Sequence, residues 1–243
     1  MRVCIGIVCI GKEYLLEFEK TFKPSVEKYA KKHGYDFKVI TDFLDSDHTH
    51  PDCISFQKCL VPRELQDYDC VIVMDADIYI HDHAPPIHYN MSDKIGIVNE
   101  VAQVSPERYK HLGFASEPVE YYKLAGFDLK TNKILNTGLM ICNPNQHWEF
   151  LEKVYSKYIQ SAPNHPRRFH YEQACIGYEL QLNDMYSELA NDWNHIYIFD
   201  KVLKLRNTPS FIHFAGLGNR ETELARYLTV QGTKSFLRWG IRK

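Results

Sequence analysis

The stretch Val71 to Ile80 reads VIVMDADIYI: four apolar residues run straight into two aspartates, Asp75 and Asp77, one alanine apart. An apolar run this short suits a strand buried on both faces, of the kind found inside α/β sheets. Ligands of open α/β sheets bind outside the carboxyl ends of the strands, which is where these carboxylates fall. Two carboxylates so close repel one another unless a cation sits between them. A hard divalent ion, Mg²⁺ or Mn²⁺, takes one or two carboxylates and completes its shell with water and phosphate oxygens. An Asp-x-Asp at a strand end is therefore a seat for a metal diphosphate. The alternative is a strand that simply ends and turns, its aspartates capping the next turn of the chain.

The elements around the pair are those of a crossover fold. Arg2 to Ile10 is β-branched and reads as a strand. Glu13 to His33 has helical periodicity interrupted at Pro24, with Gly34 at the C-cap. Asp36 to Thr41 is a second strand, and a polar loop with Asp45, Asp47, His48, His50 and Pro51 leads to a helix over Ser55 to Leu65. The aspartate strand comes next, and this alternation predicts a mostly parallel sheet flanked by helices. Further on, KIGIVNE and Lys133 to Asn143 read as strands. Trp148, Leu151, Val154, Tyr155 and Tyr158 fall at helical spacing, and FIHF (Phe211 to Phe214) is a late strand before the glycine-rich AGLGNR. Val101 to Asn132 shows no sustained periodicity. With no repeat, low-complexity tract or Ser/Gly linker, residues 1–243 read as one α/β domain.

Bulk properties narrow the partners. Twenty-nine basic against 31 acidic residues give a net charge of −2, so no global attraction to nucleic acid is expected. The seven cysteines are odd in number and lack C-x-x-C spacing, and several sit in apolar runs. They read as reduced, buried thiols in a reducing compartment. The first residues, MRVCIGIVCIGKEY, lack a small-residue cleavage site and read as a first strand. No apolar stretch reaches the roughly 20 residues of a spanning helix. The expected location is cytoplasmic.

Five segments, in order along the chain, carry a resemblance. YDCVIVMDADI, LNTGLMICN, YEQACI, LANDWNHI and FIHFAGLGNR resemble motifs of the GT-A class of nucleotide-sugar glycosyltransferases. Within that class they are similar to the retaining family that contains glycogenin and bacterial lipopolysaccharide galactosyltransferases. The resemblance implies a GT-A, Rossmann-like fold. Residues 1–99 would form a nucleotide-binding half ending after the Asp-x-Asp strand, and 100–243 a donor-sugar and acceptor half. It further implies that Asp75, Asp77 and His213 hold Mn²⁺ or Mg²⁺, and that Asp75 also reaches the ribose. Gly216 and Gly218 would let backbone amides approach the diphosphate, and Asn136 and Gly138 would line the donor sugar. Glu172 and Gln173 would lie near the anomeric carbon, Tyr14 would stack on uracil, and Lys58 would neutralise phosphate or the carboxylates. The chain departs from the family pattern in two places: Asn219 stands where the family has lysine, so that Arg220 is the nearest base, and Glu172 replaces an aspartate.

The implied reaction is transfer of a sugar from a UDP-sugar to a hydroxyl of a carbohydrate, glycolipid or glycoprotein acceptor, with retention of configuration. Tyr109, Tyr121 and Tyr122 fall where relatives build the acceptor site; they either stack on sugar rings or form a small core beneath a long loop. The tail from Arg226 to Lys243 mixes Arg226, Lys234, Arg238, Arg242 and Lys243 with Leu228, Phe236, Leu237 and Trp239. It is either a solvated helix or a peripheral membrane contact. Three alternatives stand beside the transferase: a catalytically silent sugar-nucleotide binder, a haloacid-dehalogenase-like phosphatase, whose nucleophile strand also ends in Asp-x-Asp, and metal storage through His48/His50 and His81/His83.

Overall fold

The computed structural model describes residues 1–112, 117–167 and 169–240, with the side chains of 169 and 232–240 left aside. The first half contains β1 (Val3–Val8), α1 (Lys12–Thr21), α2 (Lys23–His33), β2 (Asp36–Ile40), α3 (Val61–Glu64), β3 (Cys70–Met74), β4 (Ile78–Ile80) and β5 (Ile95–Asn99). Then come α4 (Pro106–Lys110), α5 (Pro118–Leu124), β6 (Leu135–Cys142), α6 (Pro144–Tyr158), α7 (Phe169–Leu182), β7 (Tyr186–Leu189), β8 (His195–Ile196), α8 (Tyr197–Leu203), β9 (Phe211–His213) and α9 (Arg220–Gly240).

Six strands form the main sheet in the order β2-β1-β3-β6-β5-β7, and three form a smaller one in the order β4-β9-β8. In the main sheet only β6 runs against its neighbours; β1 pairs parallel with β2 and β3, and β5 parallel with β7. The expected mostly parallel sheet is thus observed. Side chains alternate across it, as the two-residue period of a strand requires. Val71, Val73, Met140 and Cys142 pack toward α6 and α7, with Leu151, Val154 and Cys175 in the same cluster. Ile5, Ile7, Ile72 and Met74 pack the other way, with Phe18 of α1, Val26 of α2 and Phe22 between them. With both faces covered, β3, β5 and β6 are buried along their whole lengths.

Several elements differ from the sequence expectation. The helix expected over Glu13–His33 is two helices meeting at Phe22, with Pro24 in the first turn of α2, where a missing N–H costs nothing. Gly34 does cap α2, at φ +69°. The helix expected over Ser55–Leu65 is a 3₁₀ segment, Ser55–Cys59, followed by the one-turn α3. Pro62, in the first turn of α3, accounts for the break, because it has no N–H to donate back to the preceding segment and so cannot carry its hydrogen bonds onward. All seven cysteines are buried and free of disulfides. No helix among the described residues is long and apolar enough to cross a membrane. The side chains of Lys234, Phe236, Leu237, Arg238, Trp239, Arg242 and Lys243 lie outside the described residues.

The most consequential feature concerns VIVMDADIYI. Its first strand ends at the aspartates as expected, β3 closing at Met74, and Ile78 then opens β4 in the other sheet, which the sequence reading does not include. Asp75-Ala76-Asp77 is the crossing between the two sheets. Antiparallel β6 pairs Leu139 with Met74, so its opening residues, Asn136 to Gly138, lie at the carboxyl end of β3. Parallel β5 ends at the same edge, pairing Asn99 with Leu135.

Candidate active site

Both sheets supply the pair's surroundings. The Asp75 amide donates to the Gly138 carbonyl (2.8 Å), which pins it to the main sheet. The Asp77 carbonyl accepts from the Phe214 amide (2.9 Å), which pins it to the small one. His213 lies opposite Ile78 in the β4–β9 pairing, so its ring arrives beside the aspartates from a segment 136 residues further along than Asp77. His213 Nε2 is 3.1 Å from Asp77 Oδ1 and 3.7 Å from Asp75 Oδ2. One ligand atom from each of Asp75, Asp77 and His213 falls within 4.8 Å of the others.

Charge dominates this cluster. Burial opposes ionisation of Asp77, but the His213 and Arg220 charges outweigh it and hold the carboxyl down at about 2. Burial likewise opposes a charge on His213, and the two aspartates more than offset it, so its pKa is raised. Arg220 Nε stands 3.0 Å from Asp77 Oδ2, its Nη1 donates to Glu17 (2.8 Å), and its guanidinium carbon lies 5.5 Å from the Tyr14 ring centre. Tyr14 and Arg220 therefore form one wall with Asp77.

On the other side, the buried Lys58 ammonium donates to Asp75 Oδ1 (2.8 Å) and to the Thr137 carbonyl (3.3 Å), and stands 3.6 Å from Glu172 Oε1. Burial works against the Lys58 charge, yet Asp75 and Glu172 carry its pKa above the ordinary value. Glu172 is 2% exposed and its Oε1 has no hydrogen-bond partner. Burial pushes its carboxyl up to about 7 in spite of Lys58.

The strand β6 closes the floor. The Asn136 side chain accepts from the Gly138 amide (3.0 Å) and donates to Glu100 (2.9 Å), and Gln173 donates to the same Glu100 oxygen (3.3 Å). Gly138 is where the His213 ring packs: a Cβ there would lie 2.3 Å from its Cε1 and 2.6 Å from its Nδ1. Gly138→Ala is expected to push the imidazole off the aspartates, costing ~1–3 kcal/mol as overpacking does. It should also weaken Mn²⁺ binding, and thermal unfolding and calorimetry check the two effects. Gly216, at φ +70°, lies in the β9–α9 loop, and a Cβ at Gly216 or Gly218 would meet nothing.

Ten of the twelve expected site residues thus join one contiguous network, and Gly216 and Gly218 are tied to it only through the chain. Glu17, Glu100, Thr137 and Asn194 belong to the network as well; the sequence reading gives none of them a role, although Thr137 and Asn194 lie in segments that carry the resemblance. The signal that could mark two of them is a polar residue closing an apolar segment: Glu100 ends KIGIVNE, and Asn194 is the amide after Trp193. Tyr109, Tyr121 and Tyr122 are buried, Tyr109 in a small core with Leu112 and Ile196 and the other two in the main core beside α7; Tyr121 still borders the site, accepting from Gln173 (3.1 Å). The alternative histidine pairs form no metal cluster among the described residues: His48 bonds Asp45, and His81 bonds Tyr227 and stacks on His83. An open cavity of about 300 Å³, lined by Gln103, Asp192, His195 and Asn207, contains none of the expected residues.

A mostly parallel sheet, flanking helices and an Asp-x-Asp at its carboxyl edge make this a GT-A fold. No family model matches the chain, and no curated protein matches it. Among solved structures it is similar to a glycosyltransferase involved in glycosylating the major capsid of PBCV-1, with TM-score 0.63 and 18% identity over 93% of this chain and 100% of that one. It is also similar to the bifunctional glycosyltransferase WbbM, with TM-score 0.57 and 14% identity over 89% of this chain and 46% of that one. A third similar structure, mouse xyloside xylosyltransferase 1, has TM-score 0.50 and 13% identity over 89% and 98%. At these identities the likeness establishes the fold.

Proposed function

We propose that the protein is a metal-dependent glycosyltransferase that moves a hexose from UDP to an acceptor hydroxyl with retention of configuration. The observation that carries this is the convergence of Asp75, Asp77 and His213 ligand atoms within 4.8 Å, at the edge where α/β sheets bind ligands. Carboxylate oxygens with one imidazole suit a divalent ion of the Mn²⁺ or Mg²⁺ type. When bound, such an ion offsets the charge that develops on a departing diphosphate. Arg220 and the Gly216 backbone would hold the diphosphate from the Tyr14 side, and the Tyr14 ring would take the base. Asn136 would orient sugar hydroxyls. Glu172 and Gln173 would stand near the anomeric carbon, where Glu172 Oε1, 3.6 Å from Lys58 and without a hydrogen bond, would accept from a sugar hydroxyl. Residues 1–99 would then serve the nucleotide, and 100–243 the sugar and a carbohydrate, glycolipid or glycoprotein acceptor.

Calorimetric titration of UDP with Mn²⁺, and again with EDTA, tests this directly. The expected result is binding with Mn²⁺ only, followed by transfer or hydrolysis of a UDP-hexose whose product keeps the donor's α configuration by NMR. Absence of binding in both conditions overturns the UDP reading. Binding without turnover of any UDP-sugar, with water or acceptor, favours the silent binder instead.

A further inference from the structure

A histidine that offers Nε2 to a cation carries its remaining proton on Nδ1, and the group facing Nδ1 decides whether it does. Nδ1 of His213 lies 3.0 Å from Oδ1 of Asn194, a side chain with no exposure to solvent. An asparagine amide turned end for end has nearly the same shape, so its direction must be read from a partner that cannot reverse. The Gly138 backbone N–H is such a partner. It only donates, and it lies 3.0 Å from Asn136 Oδ1, which must therefore be oxygen. That oxygen also faces Asn194 Nδ2 at 2.8 Å, so Asn194 turns its NH₂ toward Asn136 and its oxygen toward His213. The far end of Asn136 agrees, its NH₂ meeting a Glu100 oxygen at 2.9 Å. One backbone amide thereby sets the direction of every hydrogen bond from Glu100 to the imidazole.

We propose that Asn194 is a positioning residue: it keeps the His213 proton on Nδ1, turns Nε2 to Asp75 and Asp77, and ties that ring to the Asn136–Glu100–Gln173 floor. The proposal rests on His213 being a metal ligand. Asn194→Ala removes the acceptor for Nδ1–H. Asn194→Asp keeps an acceptor there, and sets a carboxylate oxygen where the NH₂ faced Asn136 Oδ1.

The test uses Mn²⁺ alone, by calorimetry, and imidazole ¹⁵N NMR of His213 in the protein with Mg²⁺. Asn194→Ala is expected to weaken Mn²⁺ binding ~10- to 100-fold, the range for outer residues of metal sites, and to make the Nδ1 proton exchange fast. Asn194→Asp is expected to bind Mn²⁺ within ~3-fold of wild type, with the proton still protected. Wild-type Mn²⁺ affinity in Asn194→Ala, or equal losses in both variants, overturns the proposal. So does a wild-type spectrum with the proton on Nε2 and none on Nδ1, a result that needs no variant to fold. If wild type binds no Mn²⁺, the metal reading of the site fails as a whole. A protected Nδ1 proton in wild type that is lost in Asn194→Ala would then still establish the positioning contact separately.

Discussion

Asp77→Ala is expected to lower Mn²⁺-dependent UDP affinity at least ~100-fold, beyond the 10- to 100-fold typical of residues that merely support a metal ligand. Any transfer rate should fall on the order of 10³-fold, the upper range for removing one group that stabilises developing charge. Asp77 has this weight because it is the meeting point of the site. His213 and Arg220 both reach its carboxylate, at 3.1 and 3.0 Å. It is also the aspartate held ionised well below the ordinary carboxyl range. Its removal takes one of three ligands and leaves the Arg220 charge beside the metal's place with only Glu17 to offset it. Asp77→Asn keeps the shape and removes the charge; it should fold with lower stability than wild type and lose metal-dependent UDP binding almost as completely. Calorimetry with Mn²⁺ on the three proteins checks this. Unchanged UDP affinity in a folded Asp77→Asn would place the donor somewhere other than the Asp75–Asp77–His213 cluster.

What is legible in the sequence depends on which signals are local. β3 and β6 are legible because a strand buried on both faces is an unbroken apolar run, and α6 because its buried residues recur at helical spacing. The aspartates are legible because carboxylates rarely end a buried run without a partner. The place of Ile78–Ile80 in a second sheet is not: VIVM and IYI are both good strand sequences, and only tertiary pairing with β9 assigns the latter elsewhere. The same holds for Asn194, which lies 58 residues from Asn136 and 19 from His213 in the chain; its importance exists only where β6, β8 and β9 meet. His213 stands out only because its segment resembles a motif, since a histidine between two phenylalanines reads by default as core. Arg220 is the base nearest the expected lysine, and its contacts with Asp77, Glu17 and Tyr14 come from α1 packing near the start of α9.

The second large effect concerns stability. Lys58→Met is expected to destabilise the ligand-free protein by ~3–5 kcal/mol, the cost of removing one partner of a buried ion pair and stranding the other. The lysine is nearly inaccessible and lies between two carboxylates of unequal exposure: Glu172 is 3% exposed by side chain, Asp75 31%. Asp75 can recover much of its solvation from water, whereas Glu172 cannot, so the penalty is chiefly that of Glu172. A carboxyl already pushed up to about 7 by burial, with Lys58 still beside it, has little room to stay charged once that lysine is gone. The Thr137 carbonyl also loses its ammonium donor. These losses share one cause, so a second change should reverse most of them. Lys58→Met/Glu172→Leu replaces the pair with apolar groups of similar bulk, an exchange that is often neutral or favourable for buried pairs. The double variant should regain stability to within ~1–2 kcal/mol of wild type, and the two substitutions should be strongly non-additive in a urea-unfolding cycle. Additive losses would mean that Lys58 and Glu172 contribute independently and that the 3.6 Å between them carries no coupling. The same double variant should remain folded yet transfer no sugar, because it removes both the lysine beside Asp75 and the carboxyl proposed to stand at the anomeric carbon. That result would show Lys58 and Glu172 retained for their charge in the site rather than for the stability of the fold.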